Sequence, residues 1–173
     1  MPNDVLTHGL EVVFCGITDR ESSSDSTFFY DRPGNNFYNI LYKTGFTPIK
    51  LHPERYGEIN QYQIGLSALK EKEDADDVEN YDAADFVTKM LDQRPRFVAF
   101  TSRNAAACCL EYLDVNGTAK HGLQDWRIGV SQVFLLVLPP GSEKRFWNEK
   151  YWQQLKELID KARKSDMARI NSI

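Results

Sequence analysis

Apolar residues in this chain fall into short blocks separated by longer polar stretches, and the blocks predict the elements. Leu10 to Cys15 (LEVVFC) is a short apolar run ending at Gly16, the pattern of a buried strand. The polar stretch that follows, ITDRESSSDSTFFYDRPGNN, is rich in turn formers and too long for a simple connector, which marks it as functional or disordered. Phe37 to Thr44 has apolar residues at 37, 38, 40, 41 and 42, which suits a short buried helix with Gly45 at its C-terminal cap. Leu51 to Tyr62 reads as a surface helix or turn region, and Ile64 to Leu69 as a second buried segment. The acidic stretch 71–85 reads as a solvated loop and helix start. Apolar residues at 86, 87, 90 and 91 have helical spacing over Phe86 to Gln93, stopped by Pro95. Phe97 to Phe100 is the next buried strand, and Ser102 is an N-cap type opening a helix over Asn104 to Tyr112. Residues 114–124 are predicted to be a loop. Val133 to Leu138 is the strongest strand signal, stopped by Pro139, Pro140 and Gly141, and Phe146 to Lys164 is one amphipathic helix.

Strands alternating with helical stretches imply an α/β fold: a three-layer sandwich with a central, mainly parallel sheet. No internal repeat or low-complexity linker divides the chain, so residues 1–173 are expected to form a single domain. Ligands in such sheets bind beyond the carboxyl ends of the strands. Here that places the chemistry in three loops: Gly16 to Asn36, Thr101 to Asn104, and Pro139 to Arg145.

Composition narrows the classes. With 42% apolar and 12% aromatic residues, disorder of the whole chain is excluded. The longest apolar runs, Ala105 to Leu110 and Val133 to Leu138, fall far short of the roughly 18 residues of a membrane helix. The N-terminal stretch lacks the basic segment and cleavage site of a secretory signal. Cysteines 15, 108 and 109 offer no sensible pairing, which points to a reduced, intracellular protein. No Cys/His cluster has zinc spacing, and no phosphate-binding glycine loop or nucleophile elbow occurs, so neither metal nor cofactor is expected. A net charge of −4 excludes a broad basic coat but leaves room for a local basic patch.

The first loop leaves its strand through Gly16 and offers the Thr18 hydroxyl, the Asp19 carboxylate and the Arg20 cation. Such groups orient a water or a substrate atom, or simply form an Asx or Ser/Thr turn. Phe28, Phe29 and Tyr30 cannot all face one core; one of them is either a stacking platform for a planar ligand or an anchor for the loop. The second loop, Thr101 to Asn104, brings backbone N–H groups and Arg103 to a helix start, an anion site by geometry or an ordinary cap. The third loop carries Lys144 and Arg145 at the tip of a rigid turn, suited to a phosphate backbone or to plain solvation.

Five segments resemble the mismatch-specific uracil/thymine DNA glycosylases of the uracil-DNA glycosylase superfamily. They are LEVVFCGI at 10–17, PGNNFYNILYKTGFTP at 33–48, IGLSAL at 64–69, RPRFVAF at 94–100 and VLPPGS at 137–142, in the family's order over about residues 8–160. The PGN-x-F-[WY]…GFTP segment is the most specific. The resemblance implies a uracil-DNA-glycosylase-like fold holding a flipped base at the carboxyl ends of the strands. It implies base-excision repair by a monofunctional, monomeric glycosylase that acts on damaged or mismatched duplex DNA without a cofactor. The family's G-I-N-P-G motif becomes Gly16, Ile17, Thr18, Asp19 and Arg20, so Thr18 stands where an asparagine positions the attacking water. Tyr30 falls on a phenylalanine that stacks on the flipped base, and Ser23 on a small pocket residue. The family's glycine-lysine pair becomes Ser102 and Arg103, and its V-L-P-N-P-S-G motif with the segment that follows becomes Val137, Leu138, Pro139, Pro140, Gly141, Ser142, Glu143, Lys144 and Arg145, with one residue missing.

From this correspondence, Thr18 and Asp19 are the expected catalytic residues. Gly16, Ile17, Ser23, Tyr30 and Ser67 are expected to line one base pocket. Ser102, Arg103, Gly141, Ser142, Lys144 and Arg145 are expected to face DNA. Cleaving an N-glycosidic bond builds positive charge on the sugar and negative charge on the base, so the water must be aimed and the leaving base stabilised. Asparagine supplies an acceptor and two donors, threonine one hydroxyl. The double change at Thr18 and Asp19 keeps a second reading open: a glycosylase-like module that binds nucleic acid or protein without cleaving.

Overall fold

A computed structural model describes residues 2–18, 28–31, 34–72, 81–137 and 149–172. Among these residues five strands, β1 (Val12–Thr18), β2 (Ile64–Lys70), β3 (Phe97–Phe100), β4 (Gly122–Ile128) and β5 (Ser131–Leu135), form one sheet in the order β2-β1-β3-β5-β4. The β1–β2, β1–β3 and β3–β5 pairs are parallel, and only β4–β5 is antiparallel. Four α-helices accompany them: α1 (Phe37–Lys43), α2 (Ala83–Gln93), α3 (Arg103–Tyr112) and α4 (Lys150–Asn171). Pro53–Tyr62 forms a 3-10 helix.

The two-residue period of the strands sorts their side chains into two cores. Val13, Cys15, Leu69, Val98, Phe100, Val133 and Leu135 pack against Phe86, Val87 and Met90 of α2 and Ala105, Ala106 and Cys109 of α3. Val12, Phe14, Leu66, Phe97, Ala99 and Phe134 pack on the other side, against Phe37, Ile40 and Leu41 of α1 and Trp152, Leu155 and Ile159 of α4. This is the three-layer α/β sandwich with a mainly parallel sheet. β1, β2 and β3 are buried almost throughout, as strands covered on both faces must be.

The family-like segments have local physical roles. In PGNN, Asn35 Oδ1 accepts the Phe37 N–H at 2.9 Å and so starts α1. In GFTP, Gly45 sits at φ +85° beyond the helix end, with its N–H donating to Tyr42 O (3.1 Å) and Phe46 N–H donating to Leu41 O (2.9 Å). Those paired bonds are a Schellman cap, which needs a residue free to adopt positive φ.

Several boundaries differ from the sequence expectation: β1 runs past Gly16 to Thr18, and α2 begins at Ala83 ahead of Phe86. The predicted 114–124 loop ends at Gly122, where β4 begins; its alternating buried and exposed residues belong to an edge strand whose polar positions mask the pattern. The tail helix begins at Lys150 and runs to Asn171, because its last turns are solvated and leave no apolar stripe to read; Phe146 and Trp147 lie outside the described residues. Likewise β5 starts at Ser131, whose hydroxyl donates to Pro95 O, and Leu138 lies outside the description. No helix among the described residues is long and apolar enough to cross a membrane.

Candidate functional site

β1 and β3 lie side by side with Cys15 level with Phe100, so the residues that follow, Gly16 and Thr101, meet at the carboxyl end of the sheet. Thr101 is buried and ties the two strands together. Its N–H donates to Cys15 O (2.8 Å), and its hydroxyl donates to the same carbonyl (3.2 Å). With that proton committed, Thr101 Oγ1 accepts from the Tyr30 hydroxyl at 2.8 Å. A Cβ on residue 16 would stand 3.3 Å from Thr101 Oγ1 and 3.4 Å from Tyr30 Oη, so the glycine makes room for this junction.

Tyr30 comes from the aromatic loop. Its backbone has φ +56°, an uncommon state for a non-glycine residue that the surroundings must hold in place. The ring stacks on Phe37 at 3.8 Å with an interplanar angle of 22°. Burial holds its phenol well above the usual range, against the lowering effect of the Thr101 bond. The loop is pinned on each side. Tyr38 Oη donates to Phe29 O (2.7 Å), and Phe28 N–H donates to Asp31 Oδ2 (2.9 Å). Of the three aromatics, Phe29 is buried, while Phe28 and Tyr30 are half-buried, Phe28 against Tyr56.

Strand alternation separates residues expected to share one pocket. Gly16 joins Tyr30 and Thr101 on the α1/α4 side, whereas Ile17 packs against the α2/α3 core. Ser67 is level with Cys15 in the β1–β2 pair and so shares that residue's α2/α3 side. It is buried, and its hydroxyl has no hydrogen-bond partner among the described residues. The sheet therefore stands between the Ser67 side chain and Tyr30. Successive residues at a strand end point to opposite faces of the sheet, so nearness to that end does not bring two side chains into one pocket. Thr18, the last residue of β1, is half-buried and donates to Leu69 O at 3.4 Å. That long bond directs its proton to the backbone and leaves the oxygen's lone pairs as acceptors. Asp19, Ser23, Gly141, Ser142, Lys144 and Arg145 lie outside the described residues.

Ser102 is the N-cap of α3, its Oγ accepting the Ala105 N–H at 3.3 Å. Arg103 is exposed, with Nη1 donating to Ala119 O (3.0 Å) and Nη2 lying 3.3 and 3.4 Å from the two ring nitrogens of His121. The His121 ring lies 5.6 Å from that of Tyr151. Burial and the adjacent guanidinium lower the His121 pKa. Sequence reasoning missed Thr101, Phe37, His121 and Tyr151. Thr101 carried one usable signal, its place directly after the FVAF strand; the others depend on which elements meet in space.

No family model matches the chain. Its fold is similar to the solution NMR structure of a proposed uracil DNA glycosylase from Methanosarcina acetivorans, with a TM-score of 0.56 and 16% identity, covering 89% of this chain and 92% of that one. At that identity the likeness establishes architecture: the chain has the uracil-DNA-glycosylase-like α/β fold.

Proposed function

We propose that this protein is a monofunctional DNA glycosylase of the mismatch-specific uracil/thymine type. It would hydrolyse the N-glycosidic bond of a flipped uracil, or a related deaminated or mismatched base, in duplex DNA. The observation that carries the reading is the Gly16–Thr101–Tyr30–Phe37 junction. It fixes an aromatic ring at the carboxyl end of the central parallel strands, the place where such sheets take ligands. A ring held by its hydroxyl and by the ring beneath it is a rigid platform for a planar base.

Thr18 ends the same strand two residues beyond Gly16. In this reading its oxygen, with the proton turned to Leu69 O, accepts a hydrogen bond from the attacking water and aims it at the sugar. Asp19 takes the water's proton or stabilises the sugar cation. Its charge opposes the negative charge building on the base, so Arg20 is assigned to offset it. Gly16 leaves room for the Thr101–Tyr30 junction that holds the stacking ring, and Ser23 completes the pocket. Ser102, Arg103, Gly141, Ser142, Lys144 and Arg145 face the phosphates.

One observation favours a second reading, a nucleic-acid-binding module without cleavage. The water-positioning amide is replaced by a threonine whose hydroxyl already bonds to the backbone. Incubation with duplexes containing U·G, T·G, hypoxanthine or ethenocytosine, followed by alkaline cleavage of abasic sites, separates the two. Strand breaks at a damaged base support the enzyme. Binding without breaks on all four duplexes supports the module.

A further inference from the structure

We infer that Arg103 and His121 together form a phosphodiester-binding subsite on the β4 side of the proposed base pocket, in which His121 bonds the DNA backbone as a cation. The inference rests on the reading of the protein as a duplex-DNA-binding glycosylase and adds a residue that the sequence did not single out. His121 precedes Gly122, which is level with Leu135 of β5, as Phe100 is. It therefore stands at the same end of the sheet as Thr101, two strand spacings from β3, about 10 Å.

Among the described residues, the groups set against His121 are basic or aromatic. Around His121 stand Arg103 from α3, its chain neighbour Lys120, and Tyr151 from α4, with Lys150 Nζ 5.7 Å from the Tyr151 centroid. Among the described residues no carboxylate forms an ion pair with Arg103 or His121. The Glu149 carboxylate, which precedes Lys150 in the chain, is salt-bridged to Lys43. A guanidinium and an imidazole held side by side offer N–H donors from two side chains to one anion. The geometry is also preset. Ala119 O fixes one guanidinium nitrogen, and the Tyr151 ring, packed where Gly122 has no side chain, backs the imidazole. A phosphate oxygen reached by both the guanidinium and the imidazolium would take one bond from each.

Linkage gives the sign. In the free protein Arg103 and burial disfavour the charged imidazole. A bound phosphate reverses that balance and raises the His121 pKa, so affinity should increase as pH falls and His121 takes up its proton. The test is binding of an undamaged duplex between pH 8 and pH 5.5, which needs no excision, with NMR titration of the His121 ring. The parent should bind about two- to fivefold more tightly at the low end through this residue, the range of an exposed ion pair. The salt slope should steepen by about one contact. His121→Gln should remove that part of the pH dependence. At pH 8, His121→Lys should bind about two- to fivefold more tightly than the parent. The other two histidines, His8 and His52, are unchanged in every variant and provide the baseline. A parent that binds duplex with the same pH profile and salt slope as His121→Gln overturns the subsite but leaves the glycosylase reading standing. An imidazole pKa that rises equally with inorganic phosphate identifies a small-anion site and overturns the assignment to DNA. A parent that binds no duplex at all overturns both.

Discussion

At the scale of single residues, the candidate site depends on a gap. Gly16 is not needed for its backbone angles; it is needed because Thr101 Oγ1 and Tyr30 Oη occupy the space a side chain would fill. Thr101 cannot retreat, since Cys15 O holds both its N–H and its hydroxyl. Gly16→Ala should therefore displace the Tyr30 ring rather than the strand, lowering excision while costing about 1–3 kcal/mol of stability, the usual range for overpacking. Parallel urea melts and excision assays on a U·G duplex check both. Asp19 offers a second test. If it handles the water's proton or the sugar cation, Asp19→Ala reduces single-turnover excision by roughly 10²- to 10⁴-fold with little change in duplex affinity. An unchanged rate would make Asp19 a turn residue.

At the scale of elements, legibility followed burial. β1, β3 and α1 could be read because both strands are apolar on both faces and α1 has a dense apolar side and a glycine-marked end. β4 escaped because an edge strand facing solvent at Leu123, Asp125 and Arg127 has only sparse apolar signals at Trp126 and Ile128. The site was legible only in part for the same reason. A sequence locates strand ends, but Ser67 and Tyr30 part company on a sheet whose faces are assigned only once the register is known. α4 packs through Trp152, Leu155 and Ile159, of which Trp152 is the largest. Trp152 is fully buried, stacks on Phe14 with centroids 5.8 Å apart, and donates its Nε1–H to Val137 O at 2.8 Å. Trp152→Ala should cost about 3–5 kcal/mol, measured by chemical denaturation. The same substitution releases Val137, which leads into the VLPPGS segment, so duplex affinity should fall with stability.

At the scale of the whole molecule, the sheet buries two of the three thiols in its α2/α3 core. Cys15 and Cys109 are buried, and desolvation raises both, Cys109 to about 12 and Cys15 well above its usual value. Cys108, half-exposed on α3, is the accessible one. At pH 8 a thiol reagent should modify Cys108 alone in the native protein and all three cysteines in urea, read by mass spectrometry. Rapid native labelling of Cys15 would mean that the β1–β2–β3 centre opens readily, contrary to its burial.

The central claim, that the carboxyl end of this sheet excises a base, is tested most directly by single-turnover incubation of the parent and Thr18→Asn with a U·G duplex. Abasic sites are then revealed by alkali. The parent should excise uracil slowly but measurably, because one threonine oxygen holds the water less firmly than an amide. Thr18→Asn, which supplies an acceptor and two donors at that position, should excise it faster. Two proteins that both bind the duplex and both leave every uracil in place would contradict that claim.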